Sequence, residues 1–403
     1  MEDFSVVLVG NDANAYYMAR NFYEEYGIKC YVLGRISMLF TSTSNIIDLR
    51  IIKDLNKNDI FLDTVIKLAK EINKKKIILV GCNDDYVSLI VKNRKKLEKY
   101  YLFNYPEESL LNKIVNKELF YKNFKDMGID FPKTYFYDMS DNYQFLDDFM
   151  YPIIIKPSNV VEYHGLDGLD KVYKLEDHQK ALDTIKKIKD AGYKDKLIIQ
   201  EFIPGDDSRL FDSVFYVSSK KEVWLQSFGQ IGLQEHTRTG IGNLTVLING
   251  YNEFNNTNII KDKLKDFLVK IGFNGICEFD LKYDIRDNKF KVFEINPRQA
   301  RSSYYLTKCG YNLAKYLVDD IIYHKKYEFK FIDKMVCLSF VPNYVIRKYI
   351  NNKDYKKMFF KLKRKGMYTN PLYYKKDMSF ERRRWLFMKD LNYIKKYKKG
   401  KWN

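Results

Sequence analysis

The run Phe293-Glu294-Ile295-Asn296-Pro297-Arg298-Gln299-Ala300-Arg301-Ser302 gathers residue types that handle phosphate and divalent cations. Glu294 and Asn296 stand two apart on a predicted strand, so their side chains leave one face. A carboxylate and an amide oxygen converging there make a hard-oxygen site suited to Mg2+, which bridges nucleotide phosphates. Hairpin logic puts Cys277-Glu278-Phe279-Asp280-Leu281 one strand back, with Glu278 and Asp280 again sharing a face. Two strands offering acids to one place can hold the metals that polarise a γ-phosphate. Arg298 and Arg301 supply planar cations for phosphoryl oxygens. Alone, Glu278 reads as readily as a solvated strand residue paired with a lysine. Glu294, Asn296 and Arg298 together do not.

Upstream, Pro152-Ile153-Ile154-Ile155-Lys156-Pro157 ends an apolar strand on a lysine, which by itself marks only a chain reaching water. Lys117, 39 residues earlier at a predicted helix start, makes a pair of phosphate-facing lysines the better reading. Leu197-Ile198-Ile199-Gln200-Glu201-Phe202-Ile203-Pro204-Gly205 carries a strand into a Pro-Gly turn. Such a hinge can offer backbone groups to an adenine edge and an apolar wall to its face. Gly10-Asn11-Asp12-Ala13-Asn14-Ala15 is no G-x-G-x-x-G fingerprint, so a dinucleotide site is not expected there. It suits a substrate pocket at the carboxyl end of a first strand. His164 and His236 read as loop residues, the second in a polar loop that could reach a nucleotide or substrate. No histidine has metal-ligand spacing, and neither a nucleophile elbow nor a Walker A loop is present.

The elements that must position these residues follow from periodicity. Residues 5–10, a helix over 13–26 ended by Gly27, and a strand at 29–33 form a strand–turn–helix–strand opening. With a helix near 63–73, a strand at 77–80 and a helix at 85–99, this predicts an open α/β domain over 1–103. Beyond it, a helix at 116–127 stops at Gly128 and Pro132. Strands are expected at 153–156, 172–174, 197–201, 214–217 and 222–228, and at 275–283 and 290–294 around the turn Arg286-Asp287-Asn288. Helices are expected at 176–191 and 258–271. Strands without strict βαβ alternation indicate an α+β body with antiparallel sheets.

Composition sets the outer limits. With 46% hydrophobic and 16% aromatic residues against 30% charged, the chain of 403 residues is a folded protein of two or three domains. The start MEDFSVVLVGND lacks a basic n-region followed by an apolar h-region, and no apolar run reaches ~18 residues. Five scattered cysteines, never in C-x-x-C, point to a reducing compartment. A soluble cytoplasmic protein is expected. The net charge of +18 is concentrated: residues 345–403 hold 20 Lys/Arg against 4 Asp/Glu, which leaves +2 for the rest. Any anionic partner is therefore a question about that basic, aromatic tail.

In order and spacing, Lys117, Ile155-Lys156-Pro157, Gln200 to Gly205, Glu278 and Glu294 to Arg298 resemble the ATP-grasp superfamily over about residues 5–330. Asn296 to Ser302 is similar to its carbamoyl-phosphate-synthetase branch. Val9-Gly10-Asn11-Asp12-Ala13-Asn14-Ala15-Tyr16, Gly81-Cys82-Asn83-Asp84-Asp85-Tyr86 and Lys156-Pro157-Ser158-Asn159 resemble D-aspartate ligases and related carboxylate–amine ligases. The resemblance implies a Rossmann-like pre-ATP-grasp domain (1–103) and an ATP-grasp domain (104–333, lid about 133–215). A basic helical extension (334–403) would follow. It implies ATP with Mg2+, or Mn2+ in its place. Lys117 and Lys156 would face phosphates, Glu201, Phe202 and Ile203 would form the adenine hinge, and Asp207 or a neighbour would reach the ribose. Glu278, Glu294 and Asn296 would hold the metal, and Arg298 with Arg301 would steady an acyl phosphate. Two departures stand out. The loop 158–165 is poor in glycine where many relatives have a Gly-rich phosphate cover. The sixteen residues from Glu278 to Glu294 are a long spacing that leaves Asp280 as an alternative ligand.

The implied activity is an ADP-forming carboxylate–amine ligase. It would add D-aspartate or a similar small amino acid to the side-chain amine of an anionic peptidoglycan-precursor peptide. A ligase acting on a capsule sugar acid or small peptide is the alternative, and a non-catalytic nucleotide- or nucleic-acid-binding protein on the same scaffold is another. Lys361 to Lys365 and Arg382-Arg383-Arg384-Trp385-Leu386-Phe387 suit an anionic membrane face or precursor better than nucleic acid. The bland account is a solvated helical face with aromatics packed inward. Homo-oligomerisation is left open.

Overall fold

The computed structural model describes residues 3–400 apart from 159–162, 164, 165, 167, 171, 236, 238, 239, 241 and 255. Its first layer is β1 (Phe4–Val9), α1 (Ala13–Tyr26), β2 (Cys30–Gly34), α2 (Leu39–Ser42), β3 (Ile47–Ile51), α3 (Asn58–Ile72) and β4 (Lys76–Gly81), then α4 (Asp84–Lys92) and α5 (Arg94–Leu97). The strands form a parallel sheet in the order β3-β2-β1-β4. β1 is buried on both faces, as its unbroken apolar run requires. Asp12 caps α1 by accepting from the amides of Asn14 and Ala15, and Gly27 ends it at a φ of 67°. The single helix expected over 85–99 is broken at Asn93, whose amide bonds Leu89 O and the side chain of Asn58. That side chain competes with the helical backbone.

Next come α6 (Glu108–Val115) and α7 (Lys117–Phe124), then β5 (Thr134–Tyr137), β6 (Ile153–Pro157), β7 (Tyr173–Leu175), α8 (His178–Asp190) and β8 (Leu197–Glu201). These strands make an antiparallel sheet in the order β5-β8-β6-β7. Ala181, Ile185 and Ile188 of α8 share one face and join its core.

The largest sheet starts with β9 (Leu210–Val217), β10 (Val223–Ser227), β11 (Gly229–Gln234) and β12 (Leu244–Asn249). After α9 (Thr257–Lys270) come β13 (Gly275–Asp284) and β14 (Lys289–Asn296), then α10 (Tyr305–Cys309) and α11 (Leu313–Ile321). β15 (Lys330–Ile332) and β16 (Val336–Ser339) precede α12 (Asn343–Tyr349), α13 (Lys353–Arg364), β17 (Tyr368–Thr369) and α14 (Phe380–Lys399). The order is β14-β13-β9-β11-β12-β16-β17, with β10 bridging β9 and β15. Phe211, Phe215, Phe267, Phe279 and Phe290 pack its core beneath β13 and β14. Each such ring withdraws enough apolar surface to favour the fold by about 1.5–3 kcal/mol.

Residues 334–403, expected as an extension beyond the ATP-grasp fold, begin with a strand of its sheet. β16 pairs antiparallel with β12, Val246 opposite Ser339, and β17 lies parallel to β16. The Arg382-Arg383-Arg384 run is also not one basic face. Arg382 is wholly buried, within 3.7 Å of Asp377 and over the Tyr16 ring, while Arg383 and Arg384 are exposed. Three consecutive helical side chains spread over about 200° of the helix, so they cannot all share one narrow face.

Candidate active site

The β13–β14 hairpin builds the acidic centre. Glu278 lies opposite Asn296, and Asp280 lies opposite Glu294. On the other side β9 sets Asp212 against Asp280. Directly opposed residues of antiparallel strands share a face, so all five side chains stand together. The long Glu278–Glu294 spacing comes from two long strands and one extra residue, Phe293, bulged out between the pairs Asp280–Glu294 and Leu281–Val292.

Glu278 is only 4% exposed and accepts from Ser302 Oγ at 2.6 Å. Burial and the neighbouring Asp212 push its carboxyl well above the carboxylate range. Burial, then Glu278 and Glu294, do the same to Asp280, and burial raises Asp212. Glu294 goes the other way: Lys117 Nζ, 2.9 Å from Oε2, holds it down to about 2. The centre is thus one fixed carboxylate among acids that resist ionising without added positive charge. Among the described residues no three His, Cys, Asp or Glu side chains form a ready metal cage.

Cations ring this centre. Lys117 is the first residue of α7, where Asn116 Oδ1 caps the helix at Leu119 N. Lys156 Nζ reaches Gln200 Oε1 at 3.4 Å. Gln200 in turn donates to Tyr121 OH and Thr134 Oγ1, each at 2.9 Å. Tyr121 OH donates to Phe293 O, the bulge carbonyl, at 3.1 Å. One relay therefore links the smaller antiparallel sheet to the hairpin. Arg298 pairs with Asp84 at 2.9 Å and donates to Asn296 Oδ1 at 3.0 Å. Burial opposes its charge, but Asp84 and Glu278 outweigh burial and raise its pKa. Arg301 stands apart from the acids. It donates to Leu244 O at 2.8 Å and lies over the Phe340 ring, 5.3 Å from its centroid.

At the exit of β8 the Glu201 carboxylate is engaged twice, accepting from Lys133 N at 2.8 Å and Arg286 Nη2 at 2.7 Å. Phe202 sits between Lys174 and Lys282, their ammonium groups 4.7 and 5.0 Å from its centroid. Ile203 is buried. Lys282, pushed down to about 8 by burial, donates to Gly205 O at 2.9 Å. Asp207 accepts from Gln234 N at 2.9 Å and Gln234 Nε2 at 2.7 Å. Most of the loop 158–165, His164 included, and His236 lie outside the described residues.

No family model matches the chain. It is 34% identical to the D-aspartate ligase of Enterococcus faecium over 414 aligned positions, covering 99% of this chain and 97% of that one. The chain belongs to the D-aspartate ligase family. Members of this family are ATP-dependent carboxylate–amine ligases. Its fold is that of the ATP-grasp ligases. The L-amino acid ligase from Bacillus licheniformis matches with a TM-score of 0.58 at 14% identity, over 79% of this chain and 74% of that one. The biotin carboxylase domain of Hydrogenobacter thermophilus 2-oxoglutarate carboxylase, in complex with MgADP and bicarbonate, matches at 0.61 and 14%, over 83% and 72%.

Within this D-aspartate ligase relative, the structure brings together Lys117, Lys156, Glu278, Asp280, Glu294, Asn296 and Arg298. Glu201 to Ile203 and Asp207 lie along β8's exit, and Arg301 turns toward Phe340. Sequence reasoning missed Asp212, which carries no local signal because only the β9–β13 pairing makes it a neighbour of Glu278 and Asp280. Ser302 and Asp84 sat inside recognised motifs without a role. Their partners, Glu278 and Arg298, are distant in sequence.

Proposed function

We propose that this chain uses ATP to join D-aspartate, or a similar small amino acid, to the side-chain amine of a peptidoglycan-precursor peptide. The observation that carries this is 34% identity to a D-aspartate ligase across 99% of the chain. A carboxylate resists nucleophiles because its charge repels them and oxide leaves badly. Phosphorylation relieves both, and the amine then displaces phosphate from the acyl phosphate. Lys117 and Lys156 are assigned to the nucleotide phosphates. The backbone of Glu201 to Ile203 is assigned to adenine, and Asp207 or a neighbour to ribose. Glu201's own carboxylate is occupied by Lys133 and Arg286, which suits a backbone role there. Arg298 is assigned to the phosphoryl group of the acyl phosphate; Arg301, expected to share that role, lies over Phe340 instead.

The acidic centre fits a hard divalent cation. Glu294 is already ionised, Asn296 offers an amide oxygen, and a cation would offset the burial that raises the carboxyls of Glu278 and Asp280. When bound there with ATP, Mg2+, or Mn2+ in its place, offsets charge on the phosphoryl oxygens. Measuring ADP release across amino acids and amine acceptors tests the reading. We expect release that requires D-aspartate and a diamino-acid peptide together, falling at least ~100-fold in Glu294→Gln. No release with any amino acid and acceptor would overturn it.

No helix among the described residues is long and apolar enough to cross a membrane. A second proposal concerns the outer side of α14. Phe380, Phe387 and Met388 are 83%, 64% and 55% exposed, beside the exposed Arg383 and Arg384. We assign that side to peripheral contact with the anionic inner face of the membrane, placing the enzyme in the cytoplasm. Co-sedimentation with anionic vesicles at low salt should fall in Phe387→Ser/Met388→Ser. Equal recovery of both proteins would reject it.

A further inference from the structure

The inner side of α14 meets the candidate active site at Arg301. Lys389, Tyr393, Lys396 and Tyr397 fall at intervals of four, three and one, so they share one face of the helix. Lys389 Nζ donates to Phe340 O at 2.7 Å and pairs with Asp390 at 2.9 Å. Lys396 pairs with Glu235, and Tyr397 OH donates to Gln234 O at 2.6 Å. The Tyr393 ring lies between the two lysines, 4.9 Å from Lys389 Nζ and 5.5 Å from Lys396 Nζ. The Arg301 guanidinium lies over the ring of Phe340, the residue whose carbonyl Lys389 holds, and Tyr17 stacks on the same ring at 5.8 Å.

Two groups here are chemically unfinished. Arg301 is half-buried, makes no ion pair among the described residues, and spends one donor on Leu244 O. Tyr393 is half-buried, and its hydroxyl has no hydrogen-bond partner among the described residues. Arg301 is also the largest charged influence on that hydroxyl. A guanidinium and a phenol with donors to spare, flanked by Lys389, complement a carboxylate. Arg298, and not Arg301, bonds Asn296 of the acidic centre, so the carboxylate held here is not the one to be activated.

We propose that α14 forms one wall of the amino-acid pocket, and that Tyr393, beside Arg301, determines specificity by binding the non-reacting carboxylate of a dicarboxylic amino acid. The inference rests on the proposed ligase reading and says which part of the chain chooses its acid. Tyr393→Phe removes the hydroxyl alone. Initial rates of ADP release should show the D-aspartate KM rising about tenfold, as loss of one hydrogen bond to a charged group predicts. The KM for ATP should stay as in the parent, and the preference for D-aspartate over D-alanine should shrink by a similar factor. Tyr393→Leu, which removes ring and hydroxyl, should give at least the same loss and serves if the first variant folds poorly. A D-aspartate KM equal to the parent's, or an equal rise for D-alanine, overturns the inference and leaves the ligase reading standing. A parent enzyme that turns over only monocarboxylic amino acids also overturns the inference alone, and one that turns over no amino acid overturns both.

Discussion

Glu294 and Lys117 neutralise each other before any ligand arrives, and this gives the centre a distinctive acid response. Glu294 is held near 2 in the folded chain against about 4.3 unfolded. Its contribution to stability is therefore complete above about pH 4.3 and is lost as pH falls through 2. Glu294→Gln should flatten acid unfolding between those limits, read by circular dichroism, and a variant as acid-sensitive as the parent would contradict the pairing. Gly205 is a second residue with a sharp requirement. Its φ is +107°, and a Cβ there would lie 2.2 Å from Arg209 Cδ. Gly205→Ala should lower the urea midpoint and weaken ATP binding by displacing the turn after Ile203. Glu294, Asn296 and Arg298 were legible in sequence because one short segment carries all three. Asp212 was not, because nothing local encodes which strand lies beside β13.

At the scale of elements, the relay from Lys156 through Gln200 and Tyr121 to the bulge carbonyl of Phe293 couples two sheets. Tyr121→Phe breaks two neutral hydrogen bonds, one from Gln200 and one to Phe293 O, each worth about 0.5–1.5 kcal/mol. It should raise the KM for ATP by ~2–10-fold and lower the thermal midpoint modestly; an unchanged KM would show that Lys156 is held by other means. The entry to α14 is pinned more firmly. Asp377 accepts from Tyr16 OH, Ser44 Oγ and Asn45 N, and Arg382 donates to Phe40 O and Thr43 Oγ1. Arg382→Met leaves a buried carboxylate without its cation and should cost ~3–5 kcal/mol in urea unfolding. A loss under 1 kcal/mol would place the anchor elsewhere. Helices with apolar periodicity, such as α1 and α9, were legible within a residue or two. The strands β11, β12 and β16 were not, since short apolar runs carry no sign of which partner will cover them.

Across the whole molecule, positive charge and architecture are separate matters. The excess basicity of residues 345–403 was plain from composition. That Arg382, Lys389 and Lys396 serve internal contacts was invisible there, because counting charge ignores which side of a helix bears it. The segment is also part of the main sheet's core: Val246, Ile248 and Leu233 pack against Cys337, Val345, Ile346 and Phe359. Deleting residues 334–403 should therefore give insoluble protein with an exposed β12 edge, in place of a trimmed, active enzyme. A soluble truncation that still releases ADP, judged by size exclusion and assay, would refute this.

The pairing of β12 with β16 has a consequence for anyone recombining such ligases. A crossover placed at residue 334 would ask one parent's β12 to hydrogen-bond another parent's β16. It would also ask one parent's Arg301 to face another parent's Tyr393. Productive chimeras should exchange the segments from β9 to α14 as one block, so that a change of amino-acid preference is inherited together with the strand that anchors it.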